Sequence, residues 1–448
     1  MNLTISPGVP LRGEASLQGD KSLSHRAALF AALAQGESCI DNFLVSGVTR
    51  AMLDALTALG ISWELRDRRL SVRGRGLAGM RSPLERIDCG NSATTLRLLA
   101  GALAAAGVSA VLDGTPGLRA RPMRRIVEPL QAMGVEIEAD EGGKAPLKLA
   151  ARLPGPSLAS IDYTLQVASA QVKSCLMLAA LAARGTTTLH EPGPSRDHTE
   201  RMLRSMGVPV EAGKREAPGL SGPIITTTIS PIYPVELSPL HMTLPGDISA
   251  AAFLIVAALI TPGSEITLRS VGLNPGRTGL LDALRAMGAD LQVKGLSEVN
   301  GEPVGDLIVR YSSLHGIQVS GPLVVRMIDE FPAFAIAAAY AQGPTVVSGA
   351  LELRHKESDR ITAICQELDR LGVKIAETPD GFRIQGNTPP RSGTVQAHGD
   401  HRLAMALAIA GLSAGGPVRV RQAEIIAESF PDFDTMLVRL GADVKREE

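Results

Sequence analysis

Residues 19–33, GDKSLSHRAALFAAL, decide how this chain reads: a capping residue, Asp20, then basic and hydroxyl side chains, then an alanine-rich helix. The pattern returns as GNSATTLRLLAGAL (90–103), ASAQVKSCLMLAAL (168–181), GDISAAAFLIVAAL (246–259), IDEFPAFAIAAAYA (328–341) and GDHRLAMALAIAGL (399–412). The caps read from these six openings are Asp20, Asn91, Ser169, Asp247, Asp329 and Asp400. Each opening is followed by an amphipathic segment with Leu or Met at helical spacing, closed by Gly60, Gly134, Gly207, Gly288, Gly372 or Gly441. Cap and closing glycine are separated by 38 to 43 residues in every case, which chance does not produce six times.

Two short alternating runs follow each closing glycine but the last, as in ISWELRD (61–67) and RLSVRG (69–74). The sixth unit stops at ADVKREE, while residues 1–19 hold two strand-like runs, LTISP and EASLQG, that look like its missing strands. Six units of about 75 residues are too many for one core, and three suit one domain. The expected division is one α/β domain over 20–243 and a second over 1–19 plus 244–448, with crossovers near 20 and 243 acting as a hinge. The stretch APGLSGPI (217–224) reads as a loop inside the third unit.

Composition narrows the function. The 448 residues carry 45 Lys plus Arg against 46 Asp plus Glu, a net charge of -1, and only 3% aromatics, which argues against a basic nucleic-acid surface or base-stacking platforms. The longest apolar run, 250–260, is too short to span a bilayer, and the N-terminal stretch shows no secretory pattern. Four scattered cysteines form no CxxC pair. A cytoplasmic, monomeric protein without nucleic-acid or membrane partners is expected.

Helix N-termini present unpaired N–H groups and partial positive charge, ready sites for anions. Basic or polar side chains follow several caps: Lys21, Ser22 and Arg26, then Arg97, then Gln171 and Lys173, then His401 and Arg402. Arg121, Arg196, Lys356 and Arg360 stand in the linking segments. A substrate with phosphate and carboxylate groups accounts for this collection, since a close opposite charge is worth about 4 kcal/mol before desolvation at an effective dielectric near 20. Taken singly, each of these residues also reads as a solvated charge or a plain cap. His398 and His401 have a metal-like spacing but no third ligand, and no metal or organic cofactor is expected.

GDKSLSHR (19–26), GNSATTLR (90–97), RPM (121–123), ASAQVKS (168–174), RDHTE (196–200), MIDEFP (327–332), KESDR (356–360) and DHRLAM (400–405) together resemble the 5-enolpyruvylshikimate-3-phosphate synthase family, the 3-phosphoshikimate 1-carboxyvinyltransferases. The resemblance covers nearly the whole chain. It implies a two-domain inside-out α/β barrel, each domain three βαβαββ repeats about a pseudo-threefold axis, with the active site in a cleft that closes on substrate. It also implies enolpyruvyl transfer from phosphoenolpyruvate to the 5-hydroxyl of shikimate 3-phosphate, through a tetrahedral intermediate that eliminates phosphate. By the same resemblance, Asp329 is the base and Lys21 and Glu357 are proton donors or relays. Shikimate 3-phosphate would meet Lys21, Ser22, Arg26, Ser169, Ala170, Gln171, Arg196, Asp329 and Lys356. Phosphoenolpyruvate would meet Lys21, Asn91, Ala93, Arg121, Gln171, Arg360 and Arg402.

The chain departs from the family pattern in three places. Ala93 replaces a glycine of the GNxGT segment, a change the resemblance links to glyphosate tolerance and, with ASAQVKS and RDHTE, to the tolerant, class II-like subgroup. Glu428 stands where some members carry a phosphate-binding lysine, and Gly47 and Val48 where relatives often carry acids. Two other enzyme classes compare less well. A sister enzyme acting on a UDP-linked amino sugar uses a cysteine before its ARP segment, where this chain has TPGL (115–118); RNA 3'-phosphate cyclases need nucleotide and RNA surfaces. A nonenzymatic anion binder would have no use for Asp329, Lys21 and Glu357 together.

Overall fold

The six alanine-rich segments lack a polar stripe, and a helix apolar on all sides belongs in a core. In the computed structural model, which describes residues 1–153, 155–215 and 224–447, they form helices Lys21–Leu33, Ala93–Ala106, Ala170–Ala180, Ile248–Ile260, Phe331–Tyr340 and His401–Ala410. Every residue of Ile248–Ile260 is buried. The amphipathic segments form a second set, Gly47–Ala58, Arg124–Ala132, His198–Ser205, Gly279–Ala286, Arg360–Arg370 and Phe433–Arg439. All six closing glycines have φ between 79° and 104°, a left-handed conformation that a side chain would strain. Residues 217–223 of the stretch read as a loop lie outside the described residues. Among the described residues no helix is long and apolar enough to cross a membrane.

Four of the six caps stand where the sequence places them: Asp20, Ser169, Asp247 and Asp400 each accept a hydrogen bond from the first turn. The other two move one residue on. Ser92 rather than Asn91 caps Ala93–Ala106, its hydroxyl accepting from Thr95 N at 3.1 Å. Glu330 rather than Asp329 occupies the cap position of Phe331–Tyr340 without a side-chain cap bond. Pro332 in that first turn has no N–H to satisfy, so Asp329 is released for other partners.

Among the described residues twenty-four strands form six four-stranded sheets, three in each of two compact units. One unit comprises Met1–Gln18, Pro245–Glu298 and Pro303–Glu448; the other comprises Gly19–Leu244 and Val299–Glu302. Every sheet begins with an edge strand parallel to its neighbour, followed by an antiparallel pairing. Asn2–Ser6 pairs with Val418–Arg421 and Asp443–Glu447, completing the sixth sheet. The second N-terminal run does not join it, contrary to the sequence reading. Arg12–Ser16 instead lies parallel to Glu265–Gly272, the strand after Ile248–Ile260. His241–Thr243 correspondingly lies parallel to Gln35–Asp41, the strand after Lys21–Leu33. The edge strands that precede these two helices in the chain are thus exchanged, and the chain passes from unit to unit directly after each of them.

Each unit has its own apolar core built around its three alanine-rich helices. Small side chains let those helices approach closely. A Cβ placed at Gly101 would lie 2.1 Å from the Cys175 carbonyl oxygen of the neighbouring core helix, so backbone would have to move. Gly101→Ala should lower the unfolding free energy by at least about 2 kcal/mol, as overpacked cores do; an unchanged thermal midpoint would count against this packing.

Candidate active site

In the unit containing residues 19–244, Lys21 and Ser22 open the first core helix directly after the Asp20 cap. Arg196, two residues before helix His198–Ser205, donates from Nη1 to Ser22 Oγ at 3.4 Å. Arg26 is 2% exposed and binds across the bundle: Nε donates to Thr199 Oγ1 at 2.8 Å, Nη2 to Ser174 Oγ at 2.7 Å and Nη1 to the Ser22 carbonyl at 3.0 Å. Burial and the nearby Arg196 charge pull the Arg26 pKa down to about 10. Three of its five donors are therefore committed to holding three helices together.

Ser169 caps Ala170–Ala180, and the Ala170 carbonyl accepts from Ser174 Oγ at 2.6 Å. The Gln171 amide is fixed on both sides, with Oε1 accepting from Arg97 Nη1 at 2.5 Å and Nε2 donating to Thr94 Oγ1 at 2.9 Å. Arg97 also donates to the Pro122 carbonyl at 2.8 Å, which ties the Arg121 segment to the same place. Asn91 Oδ1 accepts from the Thr115 hydroxyl at 3.3 Å, and Ala93 is buried as the first residue of its helix. Lys173 turns inward, 2.6 Å from Glu191 Oε1 and 2.7 Å from Glu200 Oε1. Burial alone would lower its pKa, but the two carboxylates outweigh it and raise it.

Sequence reasoning passed over His25 and counted Arg97 only among the basic residues near the caps. His25 is 1% exposed; Nδ1 lies 2.7 Å from the Lys21 carbonyl and Nε2 lies 3.2 Å from Ser92 Oγ. Nε2 also lies 3.1 Å from the Val48 carbonyl, so the ring stands between two backbone carbonyls and a hydroxyl. It thereby joins the helix that opens with Lys21 to the cap beside Ala93.

In the other unit, Asp329, Lys356, Glu357, Arg360 and Arg402 come together. Asp329 Oδ1 is 3.2 Å from Lys356 Nζ and 3.6 Å from Arg360 Nη1, and its backbone carbonyl accepts from Arg402 Nη1 at 3.1 Å. Arg360 is 1% exposed; its Nη2 donates to Glu357 Oε2 at 2.7 Å and its Nε to Asp400 Oδ2 at 2.7 Å. Asp400 also caps the helix bearing Arg402, accepting from Arg402 N at 2.9 Å. Burial works against both charges, yet Asp400, Glu357 and Asp329 hold the Arg360 pKa above its ordinary value, and Arg360 holds Asp400 below its own. Arg360 Nη1 is buried with no hydrogen-bond partner among the described residues. Of the two histidines with metal-like spacing, His398 Nε2 donates to Glu367 Oε1 at 2.6 Å and His401 is buried at the start of its helix. Among the described residues no group of three or more His, Cys, Asp or Glu could hold a metal ion.

Two units of three sheets and three buried helices, with arginines and carboxylates at the helix starts, define the enolpyruvyl transferase fold. The enolpyruvyl transferase NikO from Streptomyces tendae shares that fold, with a TM-score of 0.76, 22% identity, and coverage of 99% of this chain and 98% of that one. Residues 5–437 match the family described as EPSP synthase (3-phosphoshikimate 1-carboxyvinyltransferase). The 3-phosphoshikimate 1-carboxyvinyltransferase of Geobacter metallireducens is 46% identical over 440 residues, 98% of this chain and 99% of that one. That of Halorhodospira halophila is 47% identical over 445 residues, 99% of this chain and 97% of that one. An EPSP synthase structure from Acinetobacter baumannii matches with a TM-score of 0.85 and 38% identity, covering 99% of this chain and 100% of that one. The chain belongs to the EPSP synthase family. Its reaction is the transfer of an enolpyruvyl group in the shikimate pathway towards aromatic amino acids.

The buried His25 gives this unit a pH signature. Burial lowers its pKa to about 4, whereas the unfolded chain takes up the proton near pH 6.5. Its contribution is complete above about pH 6.5, declines as pH falls towards 4, and amounts at most to about 3 kcal/mol. Denaturant unfolding of wild type and His25→Gln should diverge in slope against pH in that window; parallel curves would refute the assignment.

Proposed function

We propose that Asp329, Glu357 and Lys21 carry the proton transfers of the reaction, and that the arginines around them hold its anionic substrates. In the addition step the 5-hydroxyl of shikimate 3-phosphate loses its proton to Asp329 as its oxygen bonds to C2 of phosphoenolpyruvate. C3 gains a proton from Glu357 or Lys21, giving a tetrahedral intermediate. In the elimination step C3 returns a proton as the C2–O bond to phosphate breaks, so acid and base exchange roles. Lys356 and Arg360 beside Asp329 favour its charged form, the one a base requires.

Shikimate 3-phosphate is assigned to Lys21, Ser22, Arg26, Ser169, Ala170, Gln171, Arg196, Asp329 and Lys356. Phosphoenolpyruvate is assigned to Lys21, Asn91, Ala93, Arg121, Gln171, Arg360 and Arg402. The observation that carries this reading is Arg360 Nη1: a guanidinium held on two sides by Asp400 and Glu357, with one buried nitrogen that lies 3.6 Å from Asp329 and has no hydrogen bond among the described residues. An oxyanion of phosphoenolpyruvate supplies what that nitrogen lacks, and the planar fork suits it better than a lysine would. The enzyme acts in the cytoplasm as a monomer, without metal or organic cofactor.

Phosphate release should require phosphoenolpyruvate and shikimate 3-phosphate together and persist in EDTA. Asp329→Ala should lower kcat by about 10²- to 10⁴-fold, and Arg360→Lys should raise the KM for phosphoenolpyruvate by about tenfold or more. Release supported by UDP-N-acetylglucosamine instead would point to the sister reaction.

Ala93 is the buried first residue of its core helix, and in the assigned phosphoenolpyruvate site its methyl group would narrow the room left by a glycine. Glyphosate should therefore inhibit weakly, and Ala93→Gly should increase sensitivity; half-inhibition of the wild type at low micromolar glyphosate would overturn this.

A further inference from the structure

A line of buried polar groups runs behind Arg402 and has no place in the chemistry above. Glu330, 1% exposed, follows Asp329 in the chain. Its Oε1 accepts from the Ser249 hydroxyl and lies 3.8 Å from Arg402 Nη1. Ser249, 2% exposed, accepts in turn from Arg277 Nη2 at 2.6 Å. The same nitrogen meets Asp247 Oδ1 at 3.1 Å, and that oxygen also accepts from Ser249 N at 2.8 Å. Arg277 and Arg402 are 2% and 5% exposed. The line therefore joins the starts of all three core helices of its unit, Ile248–Ile260, Phe331–Tyr340 and His401–Ala410.

Two features separate this from ordinary helix fastening. Helix starts are served by hydroxyls and single carboxylates at much lower desolvation cost than two buried arginines and two buried acids. Glu330 also stands beyond hydrogen-bond distance of Arg402. It attracts the guanidinium without occupying any of its donors. The one side-chain hydrogen bond of Arg402 among the described residues goes to the Asp329 carbonyl, so most of its N–H groups remain for a ligand.

We propose that Glu330 is a positioning residue for phosphoenolpyruvate. It sets the place of the Arg402 guanidinium, and it is itself held by Arg277 through the Ser249 hydroxyl. The inference rests on the assignment of Arg402 to phosphoenolpyruvate. Glu330→Gln keeps the volume and an oxygen for Ser249 but removes the charge that draws Arg402. Ser249→Ala keeps the charge but removes the group that orients it.

The test is steady-state kinetics with each substrate varied in turn, beside thermal unfolding, for wild type, Glu330→Gln, Ser249→Ala, the double variant and Arg402→Ala. Glu330→Gln should raise the KM for phosphoenolpyruvate by about tenfold, and Ser249→Ala by about threefold, with kcat and the KM for shikimate 3-phosphate changed less than about twofold. The double variant should be no worse than Glu330→Gln, because both changes act along one line. Unchanged values for phosphoenolpyruvate, or losses in both substrates that follow a lowered unfolding temperature, would overturn the proposal. If Glu330→Gln does not fold, Ser249→Ala decides alone by the same criteria. If Arg402→Ala leaves the KM for phosphoenolpyruvate unchanged, the assignment beneath the proposal has failed and the proposal falls with it. An effect of Arg402→Ala without one of Glu330→Gln overturns the positioning role only.

Discussion

A helix that is apolar all round still has polar ends, and this constraint organises the whole molecule. The alanine-rich helices sit in the cores, where the first-turn N–H groups of each must find partners away from water. Asp20, Ser92, Ser169, Asp247 and Asp400 supply them through side chains. The remaining helix, Phe331–Tyr340, lessens the requirement with Pro332. Once polar groups must be present at the helix starts, each further charge placed there needs its own compensation, and the candidate site grows out of that requirement.

The two units meet it differently. In the unit containing residues 19–244, Arg26 is held largely by neutral oxygens, those of Thr199, Ser174 and the Ser22 backbone, and His25 is kept neutral by burial. Lys173, with Glu191 and Glu200, is sealed into the interior and does not add to an anion surface. In the other unit arginines and carboxylates alternate, with Arg360 between Glu357, Asp329 and Asp400, and Arg277 between Asp247 and Ser249. The positive character inferred from the abundance of Lys and Arg near the caps is therefore uneven: on this side nearly every cation already faces an acid. Such pairs are weak sources of stability, since desolvation offsets their attraction. What they do provide is fixed geometry.

Much of the fold was legible because its period is long and its signals are local. Six capped openings and six closing glycines stand in the linear sequence, and left-handed φ at Gly60, Gly134, Gly207, Gly288, Gly372 and Gly441 follows from the lack of a Cβ. The exchange of Arg12–Ser16 and His241–Thr243 between sheets was not legible. Both are short edge strands, and nothing in their composition says which parallel partner each will take. The shift from Asn91 to Ser92 was hidden for a related reason: two adjacent residues are both good caps, and backbone conformation chooses between them. At the site, Asp329, Glu357, Arg360 and Arg402 stand out by pattern. Arg277 and Ser249 carry no local signature, because their meaning comes from helices far apart in the chain.

The sequence by itself determined the helices, their closing glycines, the sixfold repetition and the reservoir of basic and acidic side chains at the helix starts, since each depends on residues within a few positions of one another. Only the tertiary structure decided which of those charges are sealed away and which keep donors for a ligand. Lys173 and Arg402 read alike in sequence, each a cation in the first turns of a core helix. One is enclosed by Glu191 and Glu200, while the side chain of the other, among the described residues, hydrogen-bonds only to a backbone carbonyl. The difference lies in partners drawn from other helices, and hydrogen-bond geometry in a buried site depends on distances that no local pattern encodes.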